Sequence, residues 1–364
     1  MRRRAAAGAV APGPLRLSII VPFHKNLRHL ERCLAAIAAS LREGETIVVA
    51  DGAPDDCREV AARYGARVHE MAGPSGPAAA RNRGAAVATG DVLVFVDSDV
   101  VVERGAIERM RDVLERRPEV AALFGTYDES PAESNLVSQY KNLAHAFIHQ
   151  SSRPSSQSFW AGFGAIRAGV FAAVNGFDER FRRPCIEDID LGYRLNGAGY
   201  RVLLDRNVRC CHLKRWTLRS LVTTDVRDRA IPWTQLILRT GRFANDLNLR
   251  GAYRASVALA YVLLGLVVAS ALEPLALVWA AVAGGALGAL NWRFYRFCAR
   301  CRGAAFVFGV VPLHVLYYLY SGLSFLVGHV LYYLSRGFDV RLPGTIALEP
   351  WPPDRAAALQ RQLR

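Results

Sequence analysis

The sequence predicts an α/β fold, a mostly parallel sheet with helices on both faces, followed by C-terminal transmembrane helices. Three observations carry this. Over the first 210 residues, short β-branched runs alternate with helical patterns, the order expected of βαβ units. One run, 92–96, is apolar throughout and ends on Asp97-Ser98-Asp99, as a strand buried on both faces would, with acids just past its carboxyl end. Beyond residue 254 the alternation stops: Ala255 to Trp292 carries Glu273 as its only charge, and Gly303 to Ser335 carries none.

Taken in order, residues 17–21 read as the first strand and 27–41 as a helix. Residues 46–50 form the next strand, ending at Asp51-Gly52, with a helix over 54–64 and a short strand over 67–70. Gly73-Pro74-Ser75-Gly76-Pro77 is a loop, because Gly and Pro punctuate regular structure. A small-residue helix covers 78–88 and a strand 91–96; a helix over 104–116 and a strand over 120–125 follow the acids. Residues 231–249, with Pro232-Trp233 and mixed arginine and apolar positions, read as an amphipathic interfacial helix.

Each long apolar run exceeds the roughly 20 residues that cross a bilayer. The first is long enough for a hairpin turning near Glu273-Pro274. The second is one long span, or a span plus an interfacial or re-entrant piece; about three spans are expected in all. Arg293, Arg296, Arg300 and Arg302 lie between the runs, so that loop is expected on the cytoplasmic side. The start of the chain, Met1-Arg2-Arg3-Arg4 followed by small residues, lacks the apolar stretch of a signal peptide. The globular part is therefore expected to stay in the cytoplasm, against the inner (plasma) membrane. Five tyrosines of the second run, Tyr317, Tyr318, Tyr320, Tyr332 and Tyr333, suit interface anchors or a groove for a lipid tail.

A formal charge of +14 suits nucleic acid or an anionic membrane surface. No nucleic-acid motif accompanies it, so the excess is read as membrane-facing. The seven cysteines are scattered, as for reduced thiols in a cytoplasmic compartment.

Asp97-Ser98-Asp99 stands where open α/β sheets bind ligands. Hard oxygen donors there suit Mg²⁺ or Mn²⁺ bridging to substrate phosphates. An acidic pair alone is equally well a polar loop. It is not alone: Val21-Pro22-Phe23, Asp51-Gly52, Arg81-Asn82-x-Gly84, Phe159-Trp160-Ala161-Gly162-Phe163-Gly164, Gly176-Phe177-Asp178-Glu179 and Glu187-Asp188-Ile189-Asp190-Leu191 accompany it.

In this order the motifs resemble family 2 glycosyltransferases of the GT-A fold, over roughly residues 16–220. The resemblance implies inverting transfer of a sugar from a nucleotide-sugar donor, UDP-linked by analogy. It implies a uracil contact for Asp51, a base and ribose pocket shaped by Pro22 and Phe23, and a diphosphate cation in Arg81. Asp99 would bind the metal directly, with Asp97 nearer the ribose or bound through water. Direct displacement at an anomeric carbon needs a base opposite the leaving nucleotide, and the resemblance makes Asp188 that base, with Glu187 orienting the acceptor. Both acids also suit a helix N-terminus electrostatically. Trp160 and Gly162 fall at the acceptor side. The stretch His212-Leu-Lys-Arg215-Trp216 resembles the Q-x-x-R-W signature of processive members with His for Gln. There Trp216 would stack on the acceptor sugar, Arg215 would hold a diphosphate, and His212 would be a third metal or diphosphate ligand.

The expected organisation is a basic N-terminus (1–15), a catalytic domain (16–225), an interfacial segment (226–252), transmembrane helices (253–335) and a tail (336–364). The reading that follows is a membrane-bound glycosyltransferase using a lipid or lipid-linked acceptor. A processive polysaccharide synthase that exports its product is the alternative, and a non-enzymatic nucleotide-binding scaffold is a third class. The sugar is not readable from these residues.

Overall fold

The computed structural model describes residues 13–53, 56–241 and 247–337. The N-terminal basic run and most of the tail lie outside these residues.

The alternation predicted from the sequence is present: β1 (Leu17–Phe23), α1 (Leu27–Ser40), β2 (Gly44–Asp51), α2 (Arg58–Arg63), β3 (Arg67–Met71), α3 (Pro77–Val87), β4 (Val92–Val96), β5 (Val100–Val102), α4 (Ala106–Arg116), β6 (Val120–Tyr127), α5 (Leu136–Ser151), β7 (Phe163–Arg167), α6 (Ala168–Ala173), α7 (Glu187–Gly197) and β8 (Arg201–His212). The eight strands form one sheet in the order β3-β2-β1-β4-β7-β6-β8-β5. β3, β2, β1 and β4 are parallel. β7 runs against both β4 and β6, β8 is parallel to β6, and β5 runs against β8. The sheet is therefore mostly parallel with two reversed strands. The helix expected from residue 54 begins at Arg58; residues 54–55 lie outside the described residues.

Why the sheet is buried on both faces is visible in the period-two pattern of its strands. Ile19, Val21 and Phe23 with Val92, Val94 and Val96 face one core, beneath α1 and α4. Ile20, Ile47, Val49, Leu93 and Phe95 face the other, beneath α3, α6 and α7. Continuous Val/Ile runs are what such doubly covered strands require.

After β8 come α8 (Leu218–Thr223), a π-helical turn (Thr224–Ala230), α9 (Ile231–Thr240), α10 (Gly251–Ala269), α11 (Ala276–Arg302) and α12 (Ala304–Gly337). Thr217 caps α8 through a reciprocal bond with Ser220. α10 and α12 are long and apolar enough to cross a membrane, and only 11% and 28% of their apolar windows are buried. A core helix of a soluble protein would hide that surface. The α10–α11 hairpin turns at Glu273-Pro274, as expected, and α12 is one continuous helix with Pro312 inside it.

The interfacial helix expected over 231–249 needs correction. α9 stops at Gly241, which takes the left-handed conformation, and residues 242–246 lie outside the described residues. Its Leu236 belongs to the core beneath α7, and Gly328 of α12 has room only for hydrogen beside Thr234. α9 is a wedge between the α/β part and α12, not a helix lying free on a surface. A third apolar cluster joins the two parts: Tyr140 and Leu143 of α5, Trp216, Leu221, and Phe294, Cys298 and Val310 of α11 and α12.

Candidate active site

Strand register gathers the predicted acids. β4 ends at Val96, and β7 begins beside it, so the Asp97 N–H donates to the Gly162 carbonyl at 3.0 Å. The short β5 that follows pairs Val100 with His212 at the end of β8, and the Leu213 N–H donates to the Asp99 carbonyl at 2.8 Å. Two residues far apart in the chain thereby become neighbours: Asp99 Oδ2 lies 3.3 Å from His212 Nε2. The His212 ring is fixed by stacking on Tyr127, centroids 4.8 Å apart and planes 14° apart. Burial is the largest influence and works to raise the Asp99 carboxyl, but His212, Lys214 and His29 together draw it down and the net shift is downward, so the acid stays ionised.

One carboxylate oxygen and one imidazole nitrogen at this separation suit adjacent positions around Mg²⁺ or Mn²⁺. Among the described residues no three His, Cys, Asp or Glu side chains converge closely enough to hold an ion unaided. A cation here would complete its shell on donor phosphates and water, as Mg²⁺ commonly does.

Asp97 is engaged elsewhere. Arg81 of α3 is buried; its Nη2 donates to Asp97 Oδ1 at 2.6 Å and its Nη1 to Glu187 Oε1 at 2.8 Å. One Asp97 oxygen is thus tied to a guanidinium, so the metal contact expected of Asp97 would fall to its other oxygen. Arg81 itself is neither solvated nor free for a diphosphate, because it cross-links the two acidic motifs from beneath. Asn82 completes that joint, accepting from the Phe177 N–H at 2.9 Å and donating to the Phe177 carbonyl at 2.8 Å. The Arg-Asn and Gly-Phe-Asp-Glu motifs are one structural clamp.

Glu187 does not orient an acceptor. It is buried, and its second oxygen accepts from the Cys185 N–H at 2.9 Å. Its effect is on its neighbour. Burial first, and the Glu187 charge second, push the Asp188 carboxyl up to about 7. Asp188 Oδ1 accepts from the Ile189 N–H at 2.8 Å and Oδ2 from the Ala161 N–H at 3.3 Å, so the side chain is held without a cationic partner. A carboxylate poised near neutrality suits proton abstraction.

Three further assignments change. Asp51 accepts from the Ser75 and Gly76 N–H groups, 2.7 Å each, and is buried; it folds the 73–77 loop against β2 rather than offering itself to a base. Phe23 falls on the same face as Val21, inside the core under α1, while Pro22 takes the opposite, half-buried face. Trp216 is 4% exposed, packed on α5 with Lys214 Nζ 4.0 Å above its ring, so it cannot stack on a sugar in this arrangement. Arg215 is exposed, in a loose pair with Glu133 at 3.6 Å. Trp160 packs among Tyr127, His145 and His149, with its indole over Gly162. A Cβ at Gly162 would lie 2.7 Å from that ring, which is why this position is glycine.

A cavity of about 120 Å³ lies between this site and the C-terminal helices, bounded by Asp188, Trp160, Lys141, His145, Arg229 and Tyr317 among others. Sequence reasoning passed over Lys141, His145 and Arg229. A signal existed: Lys141, His145 and His149 recur every fourth residue of α5, hence on one helix face. Burial, then the neighbouring His149, holds His145 well below its usual range.

A mostly parallel sheet with a half-buried acidic turn after β4 and a second acid at the start of α7 has the architecture of the GT-A fold. A model described as glycosyl transferase family 2 matches residues 18–174, so this part of the chain is similar to that family. A pre-mycofactocin glycosyltransferase of Mycobacterium tuberculosis is 31% identical over 218 residues, 57% of this chain and 44% of the relative. A validoxylamine A glucosyltransferase of Streptomyces hygroscopicus subsp. jinggangensis is 27% identical over 235 residues, 55% of each. The chain thus spans about half the length of these curated relatives. A mannosyltransferase from Pyrobaculum calidifontis, solved with GDP-Man and Mn²⁺, shares the fold: TM-score 0.50 and 19% identity over 87% of this chain and 89% of that one.

Proposed function

We propose that this glycosyltransferase is membrane-bound and transfers a sugar, with inversion, from a nucleotide-sugar donor to a lipid or lipid-linked acceptor. One observation carries the reading: Asp188 opens onto a cavity whose other walls include Tyr253 of α10, Phe294 of α11 and Tyr317 of α12. An acceptor reaching the base from that side passes the helices that are apolar enough for a bilayer. In this reading residues 16–225 carry catalysis, α9 joins them to the C-terminal helices and 253–335 anchor the chain in the inner membrane, with the catalytic part cytoplasmic.

The donor diphosphate would lie over Asp99 and His212. A divalent cation bound there supplies charge neutralisation for the departing nucleoside diphosphate. Asp188 receives the proton of the acceptor hydroxyl as that oxygen bonds to the anomeric carbon and the bond to the diphosphate breaks. Trp160, seated on Gly162, walls the acceptor side. Asp97, with Arg81 fixing one oxygen, holds its place near the ribose, and Arg215, exposed beyond His212, reaches for a phosphate.

Burial of Trp216 and the replacement of Gln by His212 support single transfer over processive synthesis. The test supplies nucleotide sugars to the full chain in detergent, with and without membrane lipid extract, and measures free nucleoside diphosphate. Release that needs the extract is expected. Equal release on water-soluble acceptors alone would overturn the lipid acceptor, and pyrophosphate as product would overturn sugar transfer.

A further inference from the structure

Around the cavity beside Asp188, every charged group but two is committed. Lys141 Nζ donates to Asp225 Oδ1 at 2.5 Å, and the Tyr320 hydroxyl donates to Asp225 Oδ2 at 2.7 Å. Asp225 therefore pins the π-helical turn to α5 on one side and to α12 on the other. Arg81 is bound to Asp97 and Glu187, and Asp228 to Arg183 and Arg227. The two exceptions are Asp188 and Arg229. Arg229 lies in the fields of Asp225 and Asp188 yet makes no ion pair or hydrogen bond with either, nor with any other described residue. It is exposed at the edge of the cavity it bounds with Asp188.

Two further observations point to a ligand. His145 Nδ1 and His314 Nδ1 are buried without a hydrogen-bond partner, and both residues line this cavity. Buried polar atoms are rarely left unpaired, and each exception calls for an explanation, a bound water or a ligand among them. The cation also stands on a π-helical turn, an uncommon geometry that recurs at functional sites.

We propose that Arg229 anchors a phosphate group of the acceptor, held at the edge of the cavity between the α/β part and the C-terminal helices. The inference rests on the glycosyltransferase reading above and narrows its acceptor to a phosphate-bearing amphiphile. A guanidinium with no internal partner offers a paired set of donors to phosphate oxygens. The apolar wall beyond it, with Tyr253, Phe294 and Tyr317, suits an alkyl chain. Free inorganic phosphate is the other source of the same chemistry.

Dodecyl phosphate and inorganic phosphate are titrated into the full chain in a neutral detergent, following tryptophan fluorescence, since Trp160 and Trp233 line the cavity. Saturable binding of dodecyl phosphate is expected, weakened about tenfold in Arg229→Gln, the scale of one charge-assisted contact, and partly restored in Arg229→Lys. Equal affinity in Arg229→Gln and the native chain overturns the site. Inorganic phosphate binding as tightly as dodecyl phosphate overturns the amphiphile. A measurement that needs no variant is the phenylglyoxal adduct at Arg229, mapped by mass spectrometry. Protection by dodecyl phosphate supports the site, and equal modification with and without it overturns the site. If nucleoside diphosphate is still released on lipid extract while the anion fails to bind, only this inference falls.

Discussion

Asp99 Oδ2 stands 3.3 Å from His212 Nε2, because β5 places Val100 opposite His212. The acid follows β4 and the imidazole ends β8, and a three-residue strand holds them together. In the proposed mechanism this pair receives the cation. Turnover is expected to need Mg²⁺ or Mn²⁺, with chelator removing it. Asp99→Asn and His212→Ala are each expected to weaken Mn²⁺-dependent binding of nucleoside diphosphate by about tenfold or more, as loss of a charge-assisted contact does. Isothermal titration with and without Mn²⁺ reads this directly. Full turnover in chelator would remove the metal from the mechanism.

Asp188 gives a pH profile with a defined sign. A base must be deprotonated to act. With its carboxyl pushed up to about 7, kcat should climb through the neutral range and fall about tenfold per pH unit on the acid side. Asp188→Asn should lower kcat by about 10²-fold and erase that ascending limb. An unchanged limb in the variant would assign the titration to another group.

Arg81 is a structural cross-link, so its loss should appear first in stability. Arg81→Met leaves Asp97 and Glu187 without their counter-charge; breaking a buried pair in this way costs about 3–5 kcal/mol. Burial already raises the Asp97 carboxyl, and Arg81 is the chief opposing influence. Without Arg81 the Asp97 carboxyl should hold its proton to higher pH. An acid whose pKa is raised in the folded state favours folding below that value and loses the benefit as pH rises through it. The variant should therefore lose less thermal stability at pH 5 than at pH 8, as measured by unfolding midpoint. A deficit independent of pH would mean that the loss is one of packing.

Topology can be tested at two exposed positions. Arg300 of α11 is exposed and Arg116 of α4 is 81% exposed at its side chain. Cysteines introduced there, in a background without the native thiols, should both resist an impermeant reagent in intact cells and react after lysis. Labelling at 300 with protection at 116 would place the C-terminal end of α11 and the α/β part on opposite sides.

The fold class was legible from short-range pattern. Each of β1, β2 and β4 carries a mostly apolar run because both of its faces are covered, and hydropathy alone reports that. The α10–α11 turn was equally plain, since Glu273-Pro274 interrupts an otherwise uncharged stretch. Asp188 was identifiable as an acid at the start of a helix, in the motif order of the family the sequence resembles. Other roles could not be read because they depend on what lies across the chain. Phe23 and Asp51 sit beside the expected pocket in sequence, yet strand alternation turns one into the core and two backbone N–H groups occupy the other. Arg81 was expected to face a diphosphate, but Glu187 of α7 and Asp97 hold its guanidinium inside the fold. Whether Trp216 is a platform or a packing residue was decided by α5 and α11, and Arg229 acquires meaning only once a cavity exists beside it. Local sequence sets which face of an element is apolar; a buried charge takes its partner, and so its job, from elements packed against it at a distance no sequence pattern measures.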